Sequence, residues 1–260
     1  MTRPVVALST PVGPEAAPLL VLGPSLGTTG ILWEKVIPAL AEGHRVLMWD
    51  LPGHGRSAPA SAAFTVADLA DAVVAAVREV STAPFLYAGV SLGGATGLEL
   101  LLRHADAVRA AAIIASGAQL GDADGWHARA AKVRTESTSS IIIASAQRWF
   151  APDSVAREPE LSGRLLHALQ NTDDESYARC CEALAAYDVR AELGRIETPV
   201  LAVWGEFDAV APEAKAREIA DGVPQGRIVR IADAAHLPPA EQPEDMARVL
   251  VEFFDSKGTR

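Results

Sequence analysis

The chain has 260 residues, 49 % hydrophobic and 22 % charged, enough for a sizeable core in one large α/β domain or two small ones. Its formal charge of −10 argues against nucleic acid and anionic membrane as partners, and an anionic substrate would need a local cation to offset that field. No apolar run reaches the length of a membrane span and Met1 to Thr10 shows no signal-type pattern, so a soluble cytoplasmic protein is expected.

In chain order, Pro4 to Leu8 is a short β-prone run and Pro18 to Leu22 a stronger one, ending in the turn Gly23-Pro24-Ser25-Leu26-Gly27. Leu32, Val36, Ile37 and Leu40 recur at helical spacing. Val46 to Trp49 reads as a buried strand running into the turn-rich Asp50-Leu51-Pro52-Gly53-His54-Gly55. Thr65 with Asp68 predicts a capping box opening a helix that carries Leu69, Val73, Val74 and Val77. Phe85 to Ala88 and Ala111 to Ala115 are further strands, on either side of a helix-like run from Ala95.

From about Leu120 to Asp188 the pattern is helical with no clear strand. Strand and helix then alternate again: Pro199 to Trp204, Pro212 to Ile219, Arg227 to Ile231, and a final helix from about Glu244 to Phe254. This order predicts an α/β fold: a mainly parallel central sheet flanked by helices, with a helical lid inserted after the sixth strand. The expected core is residues 1–119 and 189–260, and the expected lid 120–188. Cys180 and Cys181 adjoin, a spacing that disfavours a disulfide, and read as small buried side chains in a reducing compartment.

The most informative stretch is Gly89-Val90-Ser91-Leu92-Gly93, a G-x-S-x-G between strand and helix. The spacing presents a serine hydroxyl on a turn too crowded for side chains two residues before and after. Such a serine needs a base to take its proton and an acid to orient the base, and in this context they follow in the order Ser, Asp or Glu, His. Of His44, His54, His104, His127, His167 and His236, only His236 lies beyond the last strand, and it is the expected base. His54 precedes Ser91 and is expected to bond backbone, and His104 to cap the helix after Ser91. Asp208 is the expected acid, with Glu206 a close competitor and Asp122 and Asp124 weaker ones. The backbone N–H groups of Leu92 and Leu26 are expected to form the oxyanion hole, since Pro24 has no N–H. Ser25 could add a hydroxyl near the substrate. Scattered histidines and the absence of H-E-x-x-H give no metal site, and no G-x-G-x-x-G follows a first strand.

Over essentially its full length the sequence resembles the α/β-hydrolase superfamily and, within it, the 3-oxoadipate enol-lactonases. The narrower resemblance rests on Ser25-Leu26-Gly27-Thr28, the Asp50 to Gly55 loop, Gly89 to Gly94, and Trp126 with Arg129 and Arg134. It also rests on Arg148-Trp149-Phe150, Tyr177 to Asp188, and His236-Leu237-Pro238 leading to Glu241-Gln242-Pro243. Pro24 and Ala235 depart from the pattern, standing where a polar residue and Gly are usual. The resemblance implies a cofactor-free serine hydrolase. It would open a five-membered enol-lactone bearing a carboxymethyl group to 3-oxoadipate, in the β-ketoadipate route of aromatic catabolism. A broader carboxylesterase, a carbon–carbon bond hydrolase and a haloperoxidase-like activity share the triad, and a non-turnover ligand sensor would keep it too.

Trp126, Ala130 and Val133 form one stripe of a helix, flanked on opposite sides by Arg129 and Arg134, while Lys132 points elsewhere. Periodicity alone does not choose between the arginines. Arg134 is expected to meet the substrate carboxylate because it lies deeper in the helix, with Trp126 beside the substrate.

Overall fold

A computed structural model describes residues 4–258. Seven strands form one sheet: β1 (Ala7–Leu8), β2 (Leu19–Gly23), β3 (Arg45–Asp50), β4 (Phe85–Val90), β5 (Val108–Ile114), β6 (Val200–Gly205) and β7 (Gly226–Ile231), in the order β1-β3-β2-β4-β5-β6-β7. Only β1 runs antiparallel to its neighbour. The inner strands are apolar almost without alternation, as strands covered on both faces must be, and every residue of β2 and β4 is buried. Edge strand β7 instead carries Arg227 and Arg230, charges that discourage pairing with another chain.

The helices of the core are α1 (Ile37–Leu40), α2 (Val66–Arg78) and α3 (Leu92–Arg103), and later α9 (Glu213–Gly222), α10 (Pro238–Glu241) and α11 (Pro243–Gly258). Between β5 and β6 lie α4 (Ala123–Glu136), α5 (Ile142–Trp149), α6 (Ser154–Arg157), α7 (Pro159–Gln170) and α8 (Asp174–Ala185), with α4 packed along α8. This helical cap follows the fifth strand rather than the sixth: the five runs read as strands ahead of it are the five that form there.

The capping box forms as expected: Thr65 N–H donates to Asp68 Oδ2 at 2.9 Å and Asp68 N–H to Thr65 Oγ1 at 3.1 Å. The helix expected through Leu32 and Leu40 is broken into a 3₁₀ turn, Gly30–Trp33, and the four-residue α1. Pro38 supplies no N–H and is tolerated only in the first turn of a helix, so it marks a new start. Leu32, Val36 and Leu40 are nonetheless fully buried, so the spacing predicted burial correctly and continuity wrongly. Among the described residues no helix is long and apolar enough to cross a membrane.

The order of the strands places the site. The chain leaves β2 toward β3, then crosses back to β4 on the other side. The loops after β2 and β4 therefore diverge at the carboxyl ends of adjacent strands, where open α/β sheets form their crevices. Pro24 to Thr28 and Ser91 occupy these two loops.

Candidate active site

Ser91 stands alone between β4 and α3 with φ 55° and ψ −115°, outside the regions ordinary side chains favour. Such a conformation costs about 1–3 kcal/mol and persists only where its surroundings enforce it. Here Ser91 N–H donates to the Ile114 carbonyl at 2.9 Å, and Ser116 Oγ donates to the Ser91 carbonyl at 2.7 Å. The flanking glycines have steric reasons. A Cβ on Gly89 would lie 2.3 Å from the Gly93 carbonyl oxygen, and one on Gly93 2.6 Å from that of Pro24. Gly93 N–H donates to that Pro24 carbonyl at 3.0 Å, which ties the β2 loop to the serine turn. Beneath them the buried Tyr87 hydroxyl donates to the Gly93 carbonyl at 2.7 Å.

Asp208 follows β6 and His236 follows β7, both nearly inaccessible to solvent. His236 Nδ1 lies 2.9 Å from Asp208 Oδ2, while Asp208 Oδ1 accepts the amides of Val210 at 2.7 Å and Ala211 at 3.0 Å. Burial pushes the Asp208 carboxyl up, but the charge and hydrogen bond of His236 and the two amides outweigh it and hold it below the usual carboxylate range. Glu206, two residues away, turns outward to Arg230 at 3.1 Å. Asp122 caps α4, accepting Gly125 N–H at 2.8 Å, and Asp124 is exposed.

The β2 turn is internally bonded. Ser25 N–H donates to Thr28 Oγ1 at 3.0 Å, Thr28 N–H to the Ser25 carbonyl at 3.0 Å, and Gly27 N–H to His54 Nε2 at 3.1 Å. That leaves the Leu26 amide of this turn to be met. The Leu92 amide is the first of α3 and has no acceptor within the helix. His54, fully buried, accepts at Nε2 and therefore carries its proton on Nδ1, which donates to the Pro52 carbonyl at 2.9 Å. Burial lowers its pKa to about 4, against the raising effects of that carbonyl, Asp50 and Asp173. Backbone bonding was expected of His54. Its stacking on Tyr177, centroids 6.3 Å apart, was not. His104 caps α3 and bonds Asp71 at 2.7 Å.

Ser91, His236, Ser25 and Leu26 line one cavity of about 640 Å³, closed over by Trp126, Arg129, Lys132, Arg148, Trp149 and Tyr177 of the cap. Trp126 is oriented by a 2.6 Å bond from Nε1 to the Leu120 carbonyl. Arg129 donates to Ser145 Oγ at 3.1 Å, and its guanidinium carbon lies 6.0 Å from the Trp126 ring centroid and 5.6 Å from that of Tyr177. Arg129 Nε and the Tyr177 hydroxyl are buried with no partner.

Arg134, expected to face the substrate, does not line this cavity. It bonds Glu175 at 2.7 Å and also Glu182, both on α8. Five residues separate it from Arg129, a turn of roughly 140° about the helix axis. The spacing of Glu175 and Glu182, seven apart on the facing helix, was the available signal. Lys132 does line the cavity, contrary to expectation, being one turn along the same face as Arg129. Cys180 and Cys181 are free and buried. Among the described residues no group of three His, Cys, Asp or Glu side chains is placed to hold a metal ion.

Residues 18–243 match the family described as alpha/beta hydrolase fold, and the chain belongs to it. It is 31 % identical to 3-oxoadipate enol-lactonase 2 of Acinetobacter baylyi, over 89 % of this chain and 86 % of that one. It is 26 % identical to a pimeloyl-[acyl-carrier protein] methyl ester esterase of Vibrio cholerae, over 90 % and 93 % of the two chains. The solved enol-lactonase of Burkholderia xenovorans LB400 superimposes with a TM-score of 0.92 at 33 % identity, covering 96 % of each chain.

Proposed function

We propose that the chain is a serine hydrolase of carboxylic esters or lactones, and that its preferred substrate is 3-oxoadipate enol-lactone. In this reading Ser91 is the nucleophile, His236 the general base and Asp208 the acid that orients it. The bond to Asp208 keeps the His236 proton on Nδ1 and leaves Nε2 to take the serine proton. Attack on the lactone carbonyl develops an oxyanion met by the Leu26 and Leu92 amides; one such donor is worth about 10²–10³ in kcat. Collapse breaks the ring C–O bond, and His236 returns the proton to the leaving enolate oxygen. The enol becomes a ketone while the acyl group is still on Ser91. Water, deprotonated by His236, then releases 3-oxoadipate. Such a lactone arises in the breakdown of aromatic rings.

The observation that carries the choice of an anionic lactone is Arg129. It and Arg148 are the cap guanidiniums at the cavity, and Arg129 bonds Ser145 rather than a carboxylate and keeps a buried Nε without a partner, in a protein of charge −10. A carboxylate placed there would gain a charge-assisted bond and meet Nε as well. The alternative of a broader carboxylesterase is favoured by the cavity volume, which exceeds what a small lactone fills, and by likeness to a methyl ester esterase. Turnover of the enol-lactone measured beside a neutral nitrophenyl acetate separates the two. The lactone reading expects a far higher kcat/KM for the lactone, and equal or reversed values overturn it.

A further inference from the structure

Glu241 is a buried carboxylate that the hydrolytic scheme does not use. It ends α10, five residues after His236. Its Oε2 accepts the amides of Ala235 at 2.8 Å and Leu237 at 3.2 Å, the two residues flanking His236. Its Oε1 accepts the Ala151 amide at 2.6 Å and the Ser154 hydroxyl at 2.9 Å, both in the cap where α5 gives way to α6. The cap is joined to the same loop a second time, since His236 N–H donates to the Trp149 carbonyl at 3.2 Å. Trp149 itself lines the cavity beside Arg148. Arg157 completes the cluster from outside, donating to Ser154 Oγ at 3.0 Å.

All four partners of Glu241 are donors, two to each oxygen. Only a carboxylate accepts four such bonds; an amide would turn its NH₂ toward two of the donors. One side chain therefore holds both shoulders of the histidine loop and the junction of the cap.

We infer that Glu241 is a positioning residue that locks the His236 loop to the cap, so that the cap segment carrying Trp149 sets the orientation of the imidazole during hydrolysis. The inference rests on His236 acting as base. If Glu241 served only the fold, its loss would lower the folded fraction and leave kcat per folded molecule unchanged.

The test compares Glu241→Gln, Ser154→Ala and the double variant by kinetics on a neutral nitrophenyl ester, with active sites counted by titration. The expected result for Glu241→Gln is a fall in kcat of about 10- to 100-fold with KM within about threefold, the pattern of an interaction that acts on the transition state. Ser154→Ala removes one cap-side donor and should cost kcat several-fold, but nothing further once Glu241 is Gln, since residues in one network are not additive. The low-field proton of His236 Nδ1, observed by NMR, should shift or broaden in both single variants. Should Glu241→Gln fail to fold, Ser154→Ala with amide exchange decides. Faster exchange at Ala235 and Leu237, across the carboxylate from the mutation, is the expected result, and unchanged exchange overturns the lock. It is equally overturned by kcat within twofold of wild type in Glu241→Gln or by independent, multiplying effects. A Ser91→Ala variant that stays active would instead sink the hydrolytic scheme itself.

Discussion

Arg129 and Arg134 share the helix α4 and have opposite surroundings. Arg134 is held between Glu175 and Glu182, and these two bonds raise its pKa further. Arg129 faces the cavity against Ser145, Trp126 and Tyr177, and its hydrogen bond goes to the Ser145 hydroxyl rather than to a carboxylate. A neutralised guanidinium contributes little to an incoming anion; one held by neutral groups and aromatic faces retains its charge for a ligand.

Arg129→Ala should therefore lower kcat/KM for the enol-lactone by about 10- to 150-fold, the equivalent of about 1.5–3 kcal/mol for a charge-assisted bond. Hydrolysis of a neutral ester should change little. Arg134→Ala should leave the ratio of the two substrates intact and cost about 1 kcal/mol or less in stability, because its ion pairs are on the surface. Loss of discrimination in the Arg134 variant, and not in the Arg129 variant, would reverse the assignment.

Ser91→Ala should fold normally and abolish turnover. The strain at this position is carried by backbone bonds to Ile114 and Ser116, which alanine keeps. Loss of a nucleophile commonly costs several powers of ten, so a folded variant with more than roughly a hundredth of wild-type kcat would exclude Ser91 from the role.

Asp208→Asn should reduce kcat on the order of 10⁴, the loss this change produces in serine proteases, since an amide favours the wrong imidazole tautomer. Glu206→Gln should be mild, because that carboxylate faces Arg230 and not His236. Steady-state kinetics on both variants check this, and the reverse ranking would make Glu206 the acid.

His54 makes stability depend on pH in a defined window. Its folded pKa is depressed by burial to about 4, below its ordinary value near 6.5. Between these values the unfolded chain binds a proton that the folded chain refuses, so its contribution to stability is complete above about pH 6.5 and falls as the pH drops toward 4, by up to about 1.4 kcal/mol per unit. His54→Gln keeps an acceptor for the Gly27 amide but does not titrate. Urea unfolding should find wild type more stable at pH 7.5 and the gap narrowed by about 2 kcal/mol at pH 5. A gap independent of pH would mean that His54 binds its proton equally in both states, with no shift from burial.

The sequence by itself determined the parallel sheet, through buried strands without alternation, and the serine turn, through glycines whose missing side chains leave room for Gly93 and Pro24. It also placed Asp208 and His236 at strand ends, because chain order and loop position are properties of one dimension. The break at Pro38 is legible too, because a proline without an N–H fits only the first turn of a helix, whatever the periodicity of Leu32 to Leu40. What the sequence left open was every choice between neighbours on one helix. Arg129 or Arg134 depended on which side of α4 meets the acidic face of α8. The pairing of Glu241 with Ala151 depended on two loops 90 residues apart meeting. Helical periodicity specifies the angle between side chains and not the direction of the stripe. Three of the four partners of Glu241 are backbone amides, which carry no residue identity to read. Those decisions belong to the packing of the cap on the core, where burial makes each charge and donor find a partner or a ligand.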